Sequence, residues 1–227
     1  MPSDPDDHRA FILANTKLSS PSLLPELRLH LAHSSLPLWQ KTADDLGDMG
    51  LEPPYWAFAW AGGQALARYV LDHPHIVAGK TVLDIGSGSG LGAISAMRAG
   101  AGKAVAADID CLAVAAIALN CEVNGVVLEV VCLDILASQP PPADVFLVGD
   151  LFYEQQLADK ALAFILAAAA AGADVLVGDP SRSYFPRAHF EALEEYDVPV
   201  PRDLEDADVK RTAVWRLKSG AHAVTGA

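Results

Sequence analysis

Val82-Leu83-Asp84-Ile85-Gly86-Ser87-Gly88-Ser89-Gly90 decides the fold of this chain. An apolar strand runs into glycines at alternate positions, and Leu91 to Ala99 then reads as a helix stopped by Gly100 and Gly102. Glycines at this density let the backbone take positive φ and pass close to a ligand. The helix that follows offers unpaired N–H groups to that ligand. Gly88-x-Gly90-x-x-Ala93 also satisfies the dinucleotide fingerprint G-x-G-x-x-A. Asp84 separates the two readings. A carboxylate at the start of the turn repels a pyrophosphate but orients the cationic amino-acid end of S-adenosylmethionine. The methyl donor is therefore the expected cofactor, held by Asp84, Gly86, Ser87, Gly88 and Gly90.

Downstream the unit repeats. Ala104 to Ala107 reads as a second strand before a helix from Leu112 to Asn120, and Leu128 to Leu133 as a third strand. Pro140-Pro141-Pro142 marks a loop, Val145 to Val148 a fourth strand, Gln155 to Ala171 a long helix and Val175 to Val177 a fifth strand. Strands alternating with helices mean a parallel sheet covered on both faces. Tyr196 to Val200 and Thr212 to Leu217 have no helix between them and read as an antiparallel hairpin at the sheet edge. The expected class is α/β, a doubly wound sheet of seven strands. Upstream, Pro53-Pro54 breaks any helix, and Gly62-Gly63 opens one that runs through Leu71. Residues 1–20 read as frayed and Pro25 to His33 as helix. This divides the chain into an N-terminal extension (1–50), one domain (51–217) and a disordered tail (218–227).

Asp108 closes the second strand about 20 residues beyond the glycine turn, where an acid accepts hydrogen bonds from ribose hydroxyls. Asp110 is the better candidate for the cap of the next helix. Asp134, after the third strand, can accept from an adenine amino group, with Ile109 and Ile135 placed to sandwich the ring. Asp150-Leu151-Phe152-Tyr153 follows the fourth strand, at the carboxyl edge where open α/β sheets hold their ligands. A carboxylate there can hold a substrate amine. Gly79-Lys80-Thr81 precedes a strand instead of following one and is no P-loop. His30/His33 and His73/His75 lack further ligands, and no metal is expected. Glu52-Pro53-Pro54-Tyr55 is similar to the (Asp/Asn)-Pro-Pro-Tyr signature of nucleic-acid amino methyltransferases, but the fourth strand has its own acidic tetrad, so the proline pair reads as structural.

The 227 residues are 52% apolar, enough for one sizeable core. No stretch reaches the roughly 18 uncharged apolar residues of a membrane helix. A formal charge of −13 opposes nonspecific binding to nucleic acid and suits a basic protein surface. Asp4, Asp6 and Asp7 have the wrong sign for a targeting peptide, which makes a cytoplasmic location the expectation. Cys111, Cys121 and Cys132 are odd in number and form no CxxC pair, so neither a disulfide nor a zinc site is expected.

The glycine turn, Asp108 and the Asp-x-x-Tyr tetrad resemble the seven-strand protein methyltransferases with a (Asp/Glu)-x-x-(Tyr/Phe) motif. More closely, the chain resembles the lysine methyltransferases of the electron transfer flavoprotein β subunit. That resemblance runs from about Pro25 to Leu217. It rests on Pro25-Glu26-Leu27-Arg28-Leu29, Pro54-Tyr55-Trp56-Ala57, Trp60-Ala61-Gly62-Gly63-Gln64, Asp108-Ile109-Asp110, Leu119-Asn120-Cys121-Glu122, Gly149-Asp150-Leu151-Phe152-Tyr153 and Gly178-Asp179-Pro180-Ser181-Arg182. Two positions depart from the animal members: Ala61 replaces their usual Pro, and Ser181 their usual Gly. The resemblance implies a Rossmann-like class I methyltransferase, of bacterial type and cytoplasmic. It would act on lysines of the flavoprotein β subunit, with Trp60 covering the donor, Asp150 positioning the amine and Tyr153 walling the lysine channel. Glu52, Asp150, Glu154 and Asp203 to Asp208 are candidates for an acidic rim. A methyltransferase of a large-ribosomal-subunit protein shares the glycine turn and the Asp-x-Asp pair but carries an Asn-type tetrad and a separate N-terminal substrate domain. That enzyme, a small-molecule methyltransferase and a noncatalytic nucleotide-binding module are the alternatives.

Overall fold

In the computed structural model, which describes residues 5–32, 53–202 and 207–218, the chain opens with helix α1 (Pro5–Asn15) and strands β1 (Lys17–Ser19) and β2 (Leu29–Leu31). Helix α2 (Ala61–Asp72) leads into β3 (Thr81–Ile85), α3 (Leu91–Arg98), β4 (Lys103–Asp108), α4 (Cys111–Asn124) and β5 (Glu129–Cys132). Then come β6 (Val145–Gly149), α5 (Gln155–Ala170), β7 (Asp174–Asp179), β8 (Phe190–Pro199) and β9 (Val209–Leu217). The seven-strand sheet has the order β5-β4-β3-β6-β7-β9-β8, the first five strands parallel and β9 antiparallel to both neighbours. From β3 the chain steps outward to β4 and β5, then returns to lay β6 on the other side of β3. That reversal leaves a crevice at the carboxyl ends of β3 and β6, where ligands of open α/β sheets bind.

The strands are apolar on both faces because both faces are covered. Val82, Leu147 and Leu176 pack with α2, α3 and α4, while Leu83, Phe146, Val148, Val175 and Val177 pack with Phe164 and Ile165 of α5. Successive residues thus enter opposite cores, the period of two that a strand imposes. The expected doubly wound sheet and its edge hairpin are both present. The hairpin strands are longer than expected, since Glu191, Glu194 and Glu195 interrupt the apolar pattern of β8. Charges on an edge strand discourage pairing with another chain.

The N-terminal segment corrects two expectations. Residues 5–15 form a helix instead of a frayed end, with Ile12 fully buried against Trp56, Ala113 and Ala116. Arg9 adds a two-pronged ion pair with Glu122 at 2.7 and 2.8 Å. The segment from Pro25 is not a helix either: Leu27 and Leu29 are buried with Arg28 exposed between them, and 29–31 pair with 17–19 as antiparallel strands. Three-residue strands are too short to show a period, and the hairpin is specified by what it docks on. The Asn120 side chain, fully buried on α4, accepts the His30 N–H at 2.7 Å and donates to the Ser89 carbonyl at 2.8 Å. One amide thus joins the hairpin to the glycine turn. Of the proposed tail, only Lys218 lies among the described residues.

The expectation of unpaired cysteines is also overturned. Cys111 at the start of α4 and Cys132 at the end of β5 are joined in a disulfide, their Cα atoms 5.4 Å apart, and Cys121 is free and buried. An odd count leaves one cysteine over; it does not forbid a pair between the other two. Cys111 opens the helix that follows β4 and Cys132 closes β5, and the register pairing of Asp108 with Cys132 brings the two sulfurs together. Closing a loop with a sequence separation of 21 stabilises the folded chain by about 3 kcal/mol through lost unfolded-state entropy. Protein purified without reductant should therefore show one titratable thiol in denaturant, and three after reduction. Cys111→Ser should lower the unfolding free energy by about 3 kcal/mol in urea titration.

Candidate active site at the carboxyl edge of the sheet

Gly86, Gly88 and Gly90 carry φ of 58°, 55° and 84°, left-handed values that make the turn after β3 possible. Asp84 sits behind them, 4% exposed. Its carboxylate accepts the Ser87 hydroxyl and the Ala93 N–H (2.9 Å), so it braces the turn from within and satisfies one of the first N–H groups of α3. Burial pushes its pKa up to about 6, against the lowering effect of those two hydrogen bonds. Gly92 has no room for a side chain because the Asp84 carboxylate lies 2.7 Å from where a Cβ would stand. At Gly88 the reverse holds: a Cβ would meet only backbone atoms, the nearest the Trp56 Cα at 3.7 Å. The turn is an open cradle at that point. Trp60, Asp84, Gly86, Ser87, Gly88 and Asp150 all line the cavity above it, together with Phe58, Gly63 and Leu66.

The remaining donor-side candidates lie along the edge toward β5. Asp108 ends β4 and accepts the Gly88 N–H (2.8 Å) and the Asp110 N–H (3.0 Å), which fastens the turn to the second strand. Burial raises its pKa. Asp110 caps α4 by accepting the Leu112 N–H at 2.8 Å, as expected. Ile109 is 69% exposed at this edge, whereas Ile135 is buried in the core beneath it. Asp134, exposed, opens the short 3₁₀ turn Ile135–Ala137. None of these four edge residues (Asp108, Ile109, Asp134, Ile135) lines the cavity above the turn, and Gly90 lies outside it too, as the cap of α3. The disulfide ties the start of α4, just beyond Asp108, to the end of β5, just before Asp134.

The acceptor side is built where α2 meets β6 and β7. A side chain on Gly62 would collide with the Gly178 carbonyl, and one on Gly178 with the Gly62 carbonyl. Backbone packs on backbone here, which is why each segment has its glycine. The approach aims the free N–H of Gly63 at Asp150 Oδ2, 2.8 Å away. Asp150 stands after β6 with φ of 57°, a left-handed value uncommon outside glycine. Its Oδ1 accepts from Arg182 Nε (3.0 Å) and Nη2 (2.6 Å). Arg182 in turn lies over the Trp60 ring, its Cζ 5.9 Å from the centroid, a cation–π arrangement. Gln64 secures the preceding loop by donating to the Ala59 carbonyl at 2.7 Å.

Tyr153 does not line the cavity; it stands at its approach, 43% exposed, with its ring centroid 5.6 Å from Tyr55. Tyr55 stands 6.1 Å from Trp60, so the three rings form a wall leading inward. Tyr55, Gly63, Asp179 and Arg182 are site residues that the sequence reading does not single out, although all four fall within segments that carry the resemblance to the flavoprotein enzymes. Of the proposed acidic rim, Glu52 and residues 203–206 lie outside the described residues. Asp208 pairs with Arg202 at 3.4 Å, and Glu154 is exposed.

Fold and site together define the class: this is a class I methyltransferase, an enzyme that takes its methyl group from S-adenosylmethionine. The family described as "Ribosomal protein L11 methyltransferase (PrmA)" matches residues 64–170, from α2 to the end of α5. The electron transfer flavoprotein beta subunit lysine methyltransferase of Mus musculus is 41% identical over 217 residues, which cover 91% of this chain and 83% of that protein. Two solved structures share the fold. The ribosomal protein L11 methylase of Lactobacillus delbrueckii subsp. bulgaricus has a TM-score of 0.50 at 20% identity, covering 68% of this chain and 76% of its own. The magnesium protoporphyrin IX methyltransferase of Synechocystis PCC 6803, with bound SAM, has a TM-score of 0.50 at 16% identity, covering 69% and 78%. The chain belongs to the family of electron transfer flavoprotein β subunit lysine methyltransferases.

Both departures from the animal members now have a place. Ala61 is the first residue of α2, where proline fits well but is not required. Ser181 holds φ of 67°, a conformation that costs a residue with a side chain about 1–2 kcal/mol and glycine almost nothing. Ser181→Gly should therefore raise the unfolding free energy by about 0.5–1 kcal/mol, the strain relief exceeding the added freedom of the unfolded chain. Chemical denaturation at matched conditions reads this directly.

Proposed function

We propose that this enzyme methylates lysine side chains of the β subunit of an electron transfer flavoprotein. The observation that carries the reading is the meeting of two segments at Asp150. Trp60-Ala61-Gly62-Gly63 and Gly178-Asp179-Pro180-Ser181-Arg182 both lie outside the stretch matched by the ribosomal protein methyltransferase family, and both fall within the chain's resemblance to the flavoprotein enzymes.

The open cradle at Gly88, the free end of α3 and the carboxylates around them suit a ligand with one cationic end and a sugar. Asp84, Gly86, Ser87, Gly88 and Gly90 would hold the amino-acid end, with Trp60 over it. Asp108 would take the ribose, and Asp134 with Ile109 and Ile135 the adenine. Bound there, S-adenosylmethionine supplies an electrophilic methyl on a sulfonium. The chain has to supply alignment and an amine with a free lone pair. A lysine with pKa near 10.4 is neutral in only about one molecule in a few thousand at pH 7, so the ammonium must release a proton to solvent before the methyl is transferred. Asp150, fixed by Gly63 and Arg182, positions the amine, while Tyr153 and Tyr55 flank its path.

Two calorimetric measurements with S-adenosylhomocysteine test the donor side. Gly88→Val should abolish binding, because a branched side chain fills the cradle and opposes positive φ. Asp108→Ala should cost about 1–3 kcal/mol, the loss of a charge-assisted hydrogen bond. Unchanged affinity in both would move the ligand elsewhere.

The acceptor side is tested with labelled donor, purified flavoprotein and mass spectrometry. Label is expected on lysines of the β subunit. Asp150→Asn should keep most donor affinity and lose most transfer. With a net charge of −13, transfer should also fall steeply between about 0.1 and 1 M salt, as the screening length shrinks from about 10 to about 3 Å, while donor affinity changes little. Label on the α subunit alone, or on a ribosomal protein in preference, would overturn the substrate assignment.

A further inference from the structure

Beside Asp150 the chain holds a second carboxyl for which the mechanism above has no use. Asp179, the last residue of β7, is fully buried. Its Oδ1 accepts the Arg182 N–H at 2.8 Å, and its Oδ2 has no hydrogen-bond partner. A bare carboxyl oxygen in the interior is costly, and such groups are kept where they have a use. β9 places Ala213 in register with it, and α2 packs Gly62 against the adjacent Gly178; neither titrates. The charged groups that bear on Asp179 are Asp150 and Arg182. Arg182 is the link between the two acids, with its backbone on Asp179 and its guanidinium on Asp150. Burial, seconded by the like charge of Asp150, pushes the Asp179 pKa up to about 7.

We propose that Asp179 is a positioning residue for the acceptor amine: by ionising, it takes a share of the Arg182 charge and leaves Asp150 freer to hold the lysine ammonium. The inference deepens the assignment of Asp150 to the amine and rests on it. With Asp179 protonated, Asp150 and Arg182 neutralise each other. When Asp179 releases its proton to solvent, the three groups carry one net negative charge, and the mouth of the site favours a cation. Asp179 does this through Arg182, without touching the substrate.

The ratio of kcat/KM for wild type to that for Asp179→Asn, measured on the flavoprotein β subunit across the range around neutrality, isolates the effect. The ionisation of the lysine itself is common to both enzymes and cancels. The ratio should rise with a single inflection near pH 7 to a plateau about tenfold higher, the equivalent of one pKa unit. The change should lie in KM and leave kcat nearly level. Asp179→Glu, which keeps the carboxyl, should restore the pH dependence, and donor affinity in all three should stay constant across the range. A ratio that does not vary with pH would mean that Asp179 is only structural and overturns the inference. If Asp179→Asn does not fold, the wild-type and Asp179→Glu profiles decide: KM flat through neutrality in both overturns it equally. An inactive wild type at every pH is a different result, and removes the substrate reading together with this one.

Discussion

The hydrogen bond from the Gly63 N–H to Asp150, with Arg182 on the other carboxylate oxygen, is the joint on which the acceptor half of this enzyme rests. Helix α2 begins at Ala61 with Trp60 as its cap, and no side-chain hydrogen bond of its own satisfies the first turn. A carboxylate from another strand does so instead. An anion near the positive end of a helix is favoured there, and the guanidinium beyond it balances the charge. Because the joint needs backbone contact between Gly62 and Gly178, it fixes α2 against β7 closely. Trp60 is thereby set over the cavity, with Tyr55 and Tyr153 outside it.

Much of the sheet was legible because strands covered on both faces are apolar throughout and glycine punctuates their ends. What escaped was structure specified by docking. Among its described side chains helix α1 fully buries only Ile12, and it shows no apolar stripe. The β1–β2 hairpin is shorter than any periodicity can reveal and is held by the side chain of Asn120. The Cys111–Cys132 bond joins ends of neighbouring elements, and neither composition nor count can show which ends lie side by side. In β8, charges needed at an exposed edge hid half the strand.

The two halves of the site were unequally readable for a related reason. The donor-side turn is local: Asp84 through Ala93 includes the acid, the glycines and the helix end that acid braces. The acceptor side is assembled from distant parts, with Gly63 87 residues and Arg182 32 residues from Asp150. No spacing rule links them. The positions of Gly62 and Gly178 carried a signal, since glycines within or beside regular elements often mark close backbone approach, but each alone names no partner. The low exposure of Asp179 and its bare oxygen are visible only in three dimensions.

The bridge made by Asn120 has a bearing on how the chain can be shortened. A cut at residue 50 would keep every residue assigned to the donor and appear to follow a natural seam. It would instead take Leu27 and Leu29 out of the core they help to fill and leave the buried carbonyl of Asn120 without the His30 N–H, the unmet acceptor alone costing about 1–3 kcal/mol. The same amide steadies the Ser89 carbonyl in the glycine turn. The N-terminal piece is therefore a strap on the catalytic body, and a trimmed version would be a less stable protein with a looser cradle.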